Sequence, residues 1–599
     1  MNKEESPIPA AQIADRRLYA ICAMALVIAV GAALLAEVLV KLINLITNLS
    51  FFGRLSLEFH SPAGNGLGLW EILVPIIGGL IVGVIARWGS PAIRGHGIPE
   101  VMERVLVGES RIPPRLTMLK PVGSAISIGT GGPFGAEGPI IASGGALGSL
   151  VGQALRVTAD ERKTLLAAGA AAGMAAIFGS PVSATILAVE LLLFEYRGRS
   201  LVPVAFASAT AAAVRMVFHG PAPVFPMGVI DPPSGRALAA YAVIGVLVGG
   251  MGVAISKALY RVEEAFEHLP IHWMWWPALG GVVVGVMGLL SPRTLGVGYD
   301  NISQLLDGSL AGRALLILVI AKLVSWSVAL GSGTAGGTLA PLFTIGGGAG
   351  VLVGAVVGTL LPSLGVDPRV AGLVGMAAAF TGATRALLAS VVFAFEATRQ
   401  PMGLLPLLGG CTGAYLISLR TLRYTIMTER LARRGIPVIA EYDADYLARR
   451  LVRDHASREV VTVPADQTVL EARNWLAGAG APTHQGFPVI DPDGRLIGVL
   501  TRRDILAPDA DPSVTLRALV RRPPITVLGH QSLREAADLM VRSQVGRLPV
   551  IATDGSGTLV GILSRSDVLA AHLRRLDETG RVAEPTLWGR SVRPPPVLS

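Results

Sequence analysis

Apolar segments recur through the first 420 residues of the chain, and glycine interrupts several of them. A helix that crosses a bilayer needs roughly 20 apolar residues, and some of these segments are shorter than that. Short, broken helices that end inside the membrane are typical of transport proteins. The segments lie near residues 17–47, 67–86, 140–155, 162–195, 201–217, 236–257, 271–290, 311–330, 339–361, 367–397 and 401–419. The sequence therefore predicts an integral membrane protein.

The composition supports a membrane setting and argues against other classes. Hydrophobic residues make up 51% of the chain and charged residues 16%, whereas soluble domains are roughly 25% charged. The formal net charge is +9, but the basic residues are scattered at helix ends, as in cytoplasmic loops, and form no nucleic-acid-binding face. The two cysteines, Cys22 and Cys411, lie in apolar segments, so we expect neither a disulfide framework nor a metal cluster.

An internal repeat divides the membrane region into two halves. Gly129–Gly152 aligns without a gap on Gly331–Gly354, an offset of 202 residues, and ten of the 24 aligned positions are identical. The same offset pairs Gly173–Ala176 with Gly375–Ala378. Duplicated membrane halves commonly face each other across a site made of broken-helix ends. The repeat by itself leaves open whether the halves are inverted or parallel.

The stretch Gly135–Pro139 places one carboxylate, Glu137, among glycines at a predicted helix start. Pro139 suits the first helical position because its missing N–H costs nothing there. An ionisable residue at membrane depth costs several kcal/mol and is a functional candidate by default. A helix N-terminus attracts anions, so a carboxylate there can occupy an anion's own position and leave it when protonated. This pattern predicts a gate, although capping of its own helix is an alternative role for Glu137.

Two further turns repeat the design of glycines followed by proline and a helix start. The repeat partner of the Glu137 turn is Gly336–Pro341, where the uncharged Leu339 takes the place of Glu137. The third turn is Gly95–Glu100. Three helix N-termini aimed at one point would hold a dehydrated anion by backbone N–H groups.

These three turns, GHGIPE, GAEGP and GGTLAP, resemble in order and spacing the pore motifs of the CLC chloride channels and chloride/proton antiporters. The resemblance covers roughly Arg17 to Gly435. It implies an all-α polytopic membrane domain of two inverted repeats, a homodimer with one pore per subunit, and movement of chloride or a related anion. It also implies a plasma (inner) membrane location with both terminal regions cytoplasmic. A catalytic triad, a P-loop and metal-ligand spacing are missing from the sequence, so we do not expect an enzyme.

The resemblance assigns roles to individual residues. Glu137 falls at the gating glutamate of the family, and Tyr424 falls where the family places a tyrosine that closes the inner side of the anion site. The remaining residues implied in anion binding belong to the three turns: His96, Gly97, Gly138, Thr338 and Leu339.

The chain departs from the family pattern at two positions. His96 replaces the usual serine, which leaves selectivity for fluoride or nitrate open, and an imidazole that gains a charge below its pKa would make the site sensitive to pH. Leu191 stands where antiporters of the family carry an inner proton-passing glutamate; the adjacent Glu190 is a residual candidate for a proton path, or a structural partner for helix ends. The missing acceptor favours a gated chloride channel. A chloride/proton antiporter and a receptor or scaffold that has lost conduction remain alternatives.

After Gly435 charged residues become dense, and a second repeat appears with an offset of 63 residues. Each unit contains two short strands and a helix that begins at Thr/Ser-x-x-Asp. The pattern resembles a tandem pair of cystathionine-β-synthase-type (CBS) domains, an α+β fold that in CLC proteins lies in the cytoplasm and often binds adenine nucleotides. That resemblance points to Thr501, Asp504, Ser564 and Asp567 as nucleotide contacts; the alternative is that they only cap helices.

The predicted boundaries follow from this division of the chain. They are an N-terminal tail (1–16), the membrane domain (17–435), a linker (436–452), two CBS domains (453–511 and 512–575) and a C-terminal tail (576–599).

Overall fold

The computed structural model describes residues 16–436, 446–447, 450–479 and 481–580. All but the last residue of the predicted N-terminal tail, most of the predicted linker and the end of the C-terminal tail therefore lie outside the described residues. Contacts between residues divide the chain into two compact units, Met1–Tyr442 and Asp443–Ser599.

The first unit is helical, and its helices fall into two sets of eight. Those of the first half are α1 (Arg16–Phe52), α2 (Leu73–Trp88), α3 (Ile98–Val107), α4 (Pro114–Gly129), α5 (Glu137–Ala154), α6 (Ala159–Phe178), α7 (Pro181–Ala188) and α8 (Gly198–His219). Those of the second half are α9 (Gly235–Glu267), α10 (Trp276–Leu290), α11 (Tyr299–Asp307), α12 (Gly312–Gly331), α13 (Leu339–Leu360), α14 (Pro368–Thr384), α15 (Leu387–Thr398) and α16 (Leu404–Thr421). A short helix, α17 (Glu429–Arg433), follows. In this part of the chain, eight helical spans are long and apolar enough to cross a membrane.

The two halves pack in the same way. Helix α1 packs against α6 and α8, as α9 does against α14 and α16, and α5 packs on α6 as α13 does on α14. Small residues allow these close approaches. A methyl group on Gly148 would overlap the backbone of Leu165 on α6, and one on Gly350 would overlap the backbone of Ala371 on α14. The duplication read from the sequence is thus a duplication of packing.

Helix starts and ends that lie inside the unit position the site. Helices α3, α5, α11 and α13 all begin after glycine-containing turns, and their first residues are buried or half-buried. Each start leaves backbone N–H groups without intrahelical partners. These turns contribute to one core that includes buried residues of both halves, such as Ile98, Ile140 and Leu339.

The second unit contains two three-stranded sheets of the same topology. The strands are β1 (Val463–Pro464), β2 (Gly486–Ile490) and β3 (Leu496–Thr501), then β4 (Val527–Leu528), β5 (Arg547–Ile551) and β6 (Leu559–Ser564). In each sheet the first strand runs parallel to the second, and the third runs antiparallel to it. The helices are α18 (Val469–Ala477), α19 (Arg502–Ile505), α20 (Leu516–Leu519), α21 (Leu533–Arg542) and α22 (Arg565–Gly580). Each repeat therefore has its own small α+β core.

Candidate anion site

The three turns singled out from the sequence touch one another. The backbones of Gly135 and Gly337 are bonded in both directions: the Gly135 N–H donates to the Gly337 carbonyl at 3.3 Å, and the Gly337 N–H donates to the Gly135 carbonyl at 2.9 Å. Gly95 forms a backbone bridge to Ala335. A methyl group on Gly97 would lie 2.5 Å from the Gly138 carbonyl oxygen. The starts of α3, α5 and α13 therefore meet at one place.

Glu137 lies at this meeting point and is fully buried. The helix begins at Glu137, and the Ile140 N–H donates to the Ala136 carbonyl at 3.1 Å. The prediction that Pro139 occupies the first helical position is therefore wrong by two residues. The early start puts the carboxylate in the first turn, where a negative charge is stabilised by the helix dipole.

The two carboxylate oxygens of Glu137 have different surroundings. Oε1 accepts a hydrogen bond from the Tyr299 hydroxyl at 2.7 Å. Oε2 has no partner of normal hydrogen-bond geometry among the described residues, although the backbone amides of Glu137 and Ala340 lie beside the carboxylate. The Glu137 carboxyl group thus occupies the position toward which the helix starts direct their N–H groups.

Tyr299 belongs to a fourth turn that the sequence analysis missed. The stretch Gly296–Asn301 (GVGYDN) matches Gly95–Glu100 (GHGIPE) at an offset of 201 residues, one less than the offset of the main repeat. The shared glycine spacing could have revealed this turn from the sequence, but Gly296–Asn301 lacks the proline that marks the other three turns. Tyr299 takes the place of Ile98 and is the first residue of α11.

A buried lysine holds the loop before each of these two turns. The Lys120 ammonium donates to the carbonyls of Ile93 and Gly95 at 2.9 and 3.1 Å. The Lys322 ammonium donates to the carbonyls of Thr294 and Gly296 at 2.9 and 3.0 Å. The two lysines are related by the 202-residue offset, so the repeat could have revealed them.

The other predicted anion-binding residues lie around Glu137. His96 is 4% exposed, and within the described part of the chain its Nδ1 has no hydrogen-bond partner. A methyl group on Gly138 would overlap the His96 carbonyl oxygen. Thr338 and Leu339, at the start of α13, are fully buried.

Tyr424 is less closely tied to this site than the residues that follow it. Its ring is half-buried and lies under the Arg423 guanidinium, 5.3 Å from the ring centroid. Ile426 and Met427 are buried, and the Ile426 backbone lies beside the His96 ring. The role of Tyr424 stays a prediction, and the buried segment after it is a feature that sequence reasoning missed.

A charged cavity of about 550 Å³ adjoins the Gly95 turn. It is lined by residues of both signs, among them Arg94, Glu100, Lys120, Glu263 and Arg430. Arg430 donates to Glu263 and also lies 3.5 Å from Glu100. An ion that reaches the His96 turn from this side would pass charged groups of both signs.

Glu190 caps a helix of the opposite half. Its two oxygens accept from the N–H groups of Leu388 and Ala389 at 3.1 and 3.2 Å, at the start of α15. Glu396 does the same for the start of α7, accepting from Val182 and Ser183 at 3.1 and 2.8 Å. This reciprocal arrangement gives Glu190 the structural partner that the sequence left open.

In the second unit the four predicted nucleotide contacts are helix caps. Asp504 Oδ2 accepts from the Thr501 N–H and hydroxyl at 2.7 and 2.6 Å, and Asp567 Oδ2 accepts from the Ser564 N–H and hydroxyl, both at 2.7 Å. Thr501 and Asp504 also line a cavity of about 990 Å³. Four arginines line it too: Arg503, Arg521, Arg522 and Arg547.

Asp509 and Asp511 also line that cavity, so in the described part of the chain it has three acidic residues in all. The Ser513 N–H and hydroxyl donate to Asp511 and lower its pKa, so Asp511 keeps its negative charge at neutral pH. The cavity therefore contains both signs of charge, with four arginines against three aspartates in its lining.

Broken helices whose starts converge on a buried carboxylate define a membrane protein built to handle an anion. The model of the voltage-gated chloride channel family matches residues 77–419, and the CBS domain model matches residues 452–509 and 516–574. The chain belongs to the voltage-gated chloride channel (CLC) family. It is an anion-transport protein that crosses the membrane several times, with tandem CBS domains after the membrane domain.

The similar proteins include one named as a putative chloride channel protein and others named as H⁺/Cl⁻ exchange transporters. The chain is 28% identical over 367 residues to a putative chloride channel protein ClcB-like of Ralstonia nicotianae, covering 61% of this chain and 86% of that protein. It is 28% identical over 437 residues to the H⁺/Cl⁻ exchange transporter ClcA of Salmonella agona, covering 70% and 90%. The corresponding ClcA of Vibrio parahaemolyticus is 29% identical over 402 residues, covering 63% and 85%.

Solved structures support the fold. A slow cyanobacterial Cl⁻/H⁺ antiporter matches with a TM-score of 0.62 and 23% identity, covering 70% of this chain and 98% of that one. A eukaryotic CLC transporter matches with a TM-score of 0.58 and 21% identity, covering 92% and 98%. The expected fold class, an all-α membrane domain of CLC type followed by an α+β CBS pair, is confirmed.

Proposed function

We propose that this protein exchanges chloride for protons across the membrane, with Glu137 as the gate. The observation that carries the proposal is the buried Glu137 carboxylate at the junction of four helix starts. A carboxylate that competes with chloride for these N–H groups must be protonated or displaced before the anion occupies the site. One group can in this way couple the two ions.

Exchange is favoured here over the channel preferred from the sequence alone. That preference rested on Leu191, which stands in place of a proton-passing glutamate. Two relatives that this chain covers over 90% and 85% of their length are named as H⁺/Cl⁻ exchange transporters. One relative is named as a putative chloride channel protein. Because Glu190 is engaged as a helix cap, we propose no proton transfer through it.

The proposed anion contacts are backbone N–H groups of the turns. They belong to Gly97, Gly138, Thr338 and Leu339, with His96 beside them and Tyr424 at the inner side. Backbone amides suit a dehydrated halide because they offer it hydrogen bonds and partial positive charge without a full positive charge that would hold it too tightly. Tight contacts leave no room for side chains at the glycines.

Reconstituted liposomes test the exchange. An outward chloride gradient should drive protons uphill into the vesicles in wild type, as followed by a pH-sensitive dye. Glu137→Gln should abolish the proton movement and leave chloride flux, because the amide cannot carry a proton across. Glu58→Gln, in the exposed loop after α1, is the matched control and should behave as wild type.

The same assay distinguishes the alternatives. Chloride flux without uphill proton movement, and with a reversal potential independent of pH, would identify a channel. If neither wild type nor Glu137→Gln shows any anion flux, the result would indicate a receptor or scaffold that does not conduct. Substituting fluoride or nitrate for chloride, in wild type and His96→Ser, tests whether His96 sets the preferred anion.

A second proposal concerns the cavity of about 990 Å³ in the second unit. We propose that it binds an adenine nucleotide, whose phosphates would lie near the arginines and whose ribose would lie near Thr501 and Asp504. Ser564 and Asp567 are not among the described residues that line this cavity, so they are not part of this proposal. Equilibrium binding of ATP, ADP and AMP to the full chain tests the idea. Arg521→Ala should weaken binding roughly tenfold if phosphate contacts are made.

The remaining proposals concern assembly and location. We propose a homodimer in the plasma (inner) membrane, with the CBS pair and both terminal regions in the cytoplasm. Light scattering of the purified protein tests whether it is a dimer. Labelling of single cysteines placed at exposed positions of the CBS pair tests on which side of the membrane this pair lies.

A further inference from the structure

We propose that Tyr299 is a positioning residue that holds Glu137 in its closed position and thereby sets how readily the pore opens. The proposal rests on the proposed gating role of Glu137. It adds a partner from the opposite half of the chain, in the turn whose glycine spacing matches that of Gly95–Glu100.

The contact is a hydrogen bond from a phenol to a carboxylate. The Tyr299 hydroxyl donates to Glu137 Oε1 at 2.7 Å, the usual length of an O–H···O hydrogen bond; such a bond is strengthened when the carboxylate is ionised. Such a bond stabilises the ionised side chain where it lies and is lost when the side chain swings out. Opening must therefore break it.

The Tyr299 ring is held independently of Glu137. It makes edge-to-face contacts with Phe178 and Phe225, with ring centroids 5.8 and 6.0 Å away. Phe178 in turn packs against Phe393 at 4.8 Å. The donor is therefore preorganised, and its position does not depend on the gate being closed.

The backbone before Tyr299 is also fixed. The Lys322 ammonium donates to the carbonyls of Thr294 and Gly296, which lie five and three residues before Tyr299. Tyr299 itself begins α11, so its backbone direction is set by the helix. A displaced loop would move the hydroxyl, which makes Lys322 a support for the same contact.

The duplication makes this contact one-sided. The position equivalent to Tyr299 in the first half is Ile98, which has no hydroxyl, and the position equivalent to Glu137 in the second half is Leu339. One half supplies the carboxylate and the other supplies its donor. The pairing is thus a difference between the halves that the duplicated fold does not require.

Two charged groups near Glu137 also influence how its carboxyl group responds to pH. Lys322 from α12 interacts with the Glu137 carboxylate, and Asp300 from α11 interacts with Lys322. Both remain in place when only the Tyr299 hydroxyl is removed. Tyr299→Phe therefore changes one interaction of the gate and preserves the ring.

Chloride efflux from liposomes tests the proposal. Tyr299→Phe should raise flux at neutral pH by about threefold or more and move the midpoint of acid activation to higher pH, because the closed, ionised gate loses its donor. In the Glu137→Gln background the same substitution should change flux by less than about 1.5-fold. Unchanged flux and an unchanged midpoint in Tyr299→Phe would overturn the proposal.

Two further variants complete the test. Tyr241→Phe removes a hydroxyl that accepts from the Asp367 N–H at 2.8 Å, remote from Glu137 in sequence and in a different cluster, and should leave flux unchanged. A fluorinated tyrosine at position 299, a stronger donor, should lower flux at neutral pH; a rise would count against the proposal.

The result also distinguishes this proposal from the proposed function. If Glu137→Gln abolishes pH dependence and Tyr299→Phe has no effect, only the Tyr299 proposal fails. If Glu137→Gln leaves flux and pH dependence as in wild type, the gating role itself fails. Thermal unfolding of each variant in detergent shows whether a flux change accompanies a loss of folded protein.

Discussion

Gly135 and Gly337, equivalent positions of the two halves, hydrogen-bond to each other through both of their backbone groups. Residues 202 positions apart thus meet as partners, and the exchange of identical bonds indicates an approximate two-fold relation at the centre of the membrane unit. The contact brings the start of α5 to the start of α13. Everything proposed for Glu137 depends on this junction.

Gly337→Ala should disrupt the junction. The added methyl group would lie 2.6 Å from the Gly135 carbonyl oxygen and 2.8 Å from Glu137 Oε2, closer than packed atoms tolerate, so the turn must shift. We expect chloride flux to fall at least tenfold in liposomes. Gly66→Ala, at a position with nothing within 4 Å, is the control and should be neutral. Normal flux in Gly337→Ala would argue against a tight junction.

Glu190 and Glu396 offer a matched pair for the proton path. Each caps a helix of the other half with two N–H contacts, so Glu190→Gln and Glu396→Gln should each lower the free energy of unfolding by about 1–2 kcal/mol. Proton coupling should survive in both. Loss of coupling in Glu190→Gln alone would show that Glu190 carries protons as well as capping a helix.

Lys322 and Lys120 form a second matched pair. Both ammonium groups are buried and hold backbone carbonyls, so Lys322→Met and Lys120→Met should each destabilise the protein by about 2–4 kcal/mol. Lys322 also interacts with Glu137. Its loss removes a positive charge that favours the ionised gate, so acid activation of chloride flux should begin at higher pH in Lys322→Met. An identical shift in Lys120→Met would point to general loosening of the fold.

Several features of the site were accessible from the sequence because they depend on local residue types. Glycine and proline at fixed spacing identified the turns at Glu137, Gly336 and Gly95, and a constant offset identified the duplication. The helix caps at Thr501 and Asp504 followed from the Thr-x-x-Asp pattern. These signals are local, and the structure agrees with them.

Other features depend on packing between distant segments, and the sequence did not reveal them. The Tyr299 hydroxyl meets Glu137 only because two halves come together, and its turn lacks the proline that marked the others. The sequence offered Glu190 as a partner for helix ends but did not reveal which helix it caps, because the N–H groups of Leu388 and Ala389 lie about 200 residues away. The helix start at Glu137 was placed two residues late because Pro139 tolerates the third helical position as well as the first.

Chloride binding measured by calorimetry tests the central claim most directly. If the Glu137 carboxylate occupies the anion's position, wild type should bind chloride weakly at neutral pH and take up a proton as it binds, which appears as a dependence of the heat on the buffer's ionisation enthalpy. Glu137→Gln should bind chloride several-fold more tightly without proton uptake. Equal affinities in the two proteins, with no proton uptake in wild type, would contradict the account.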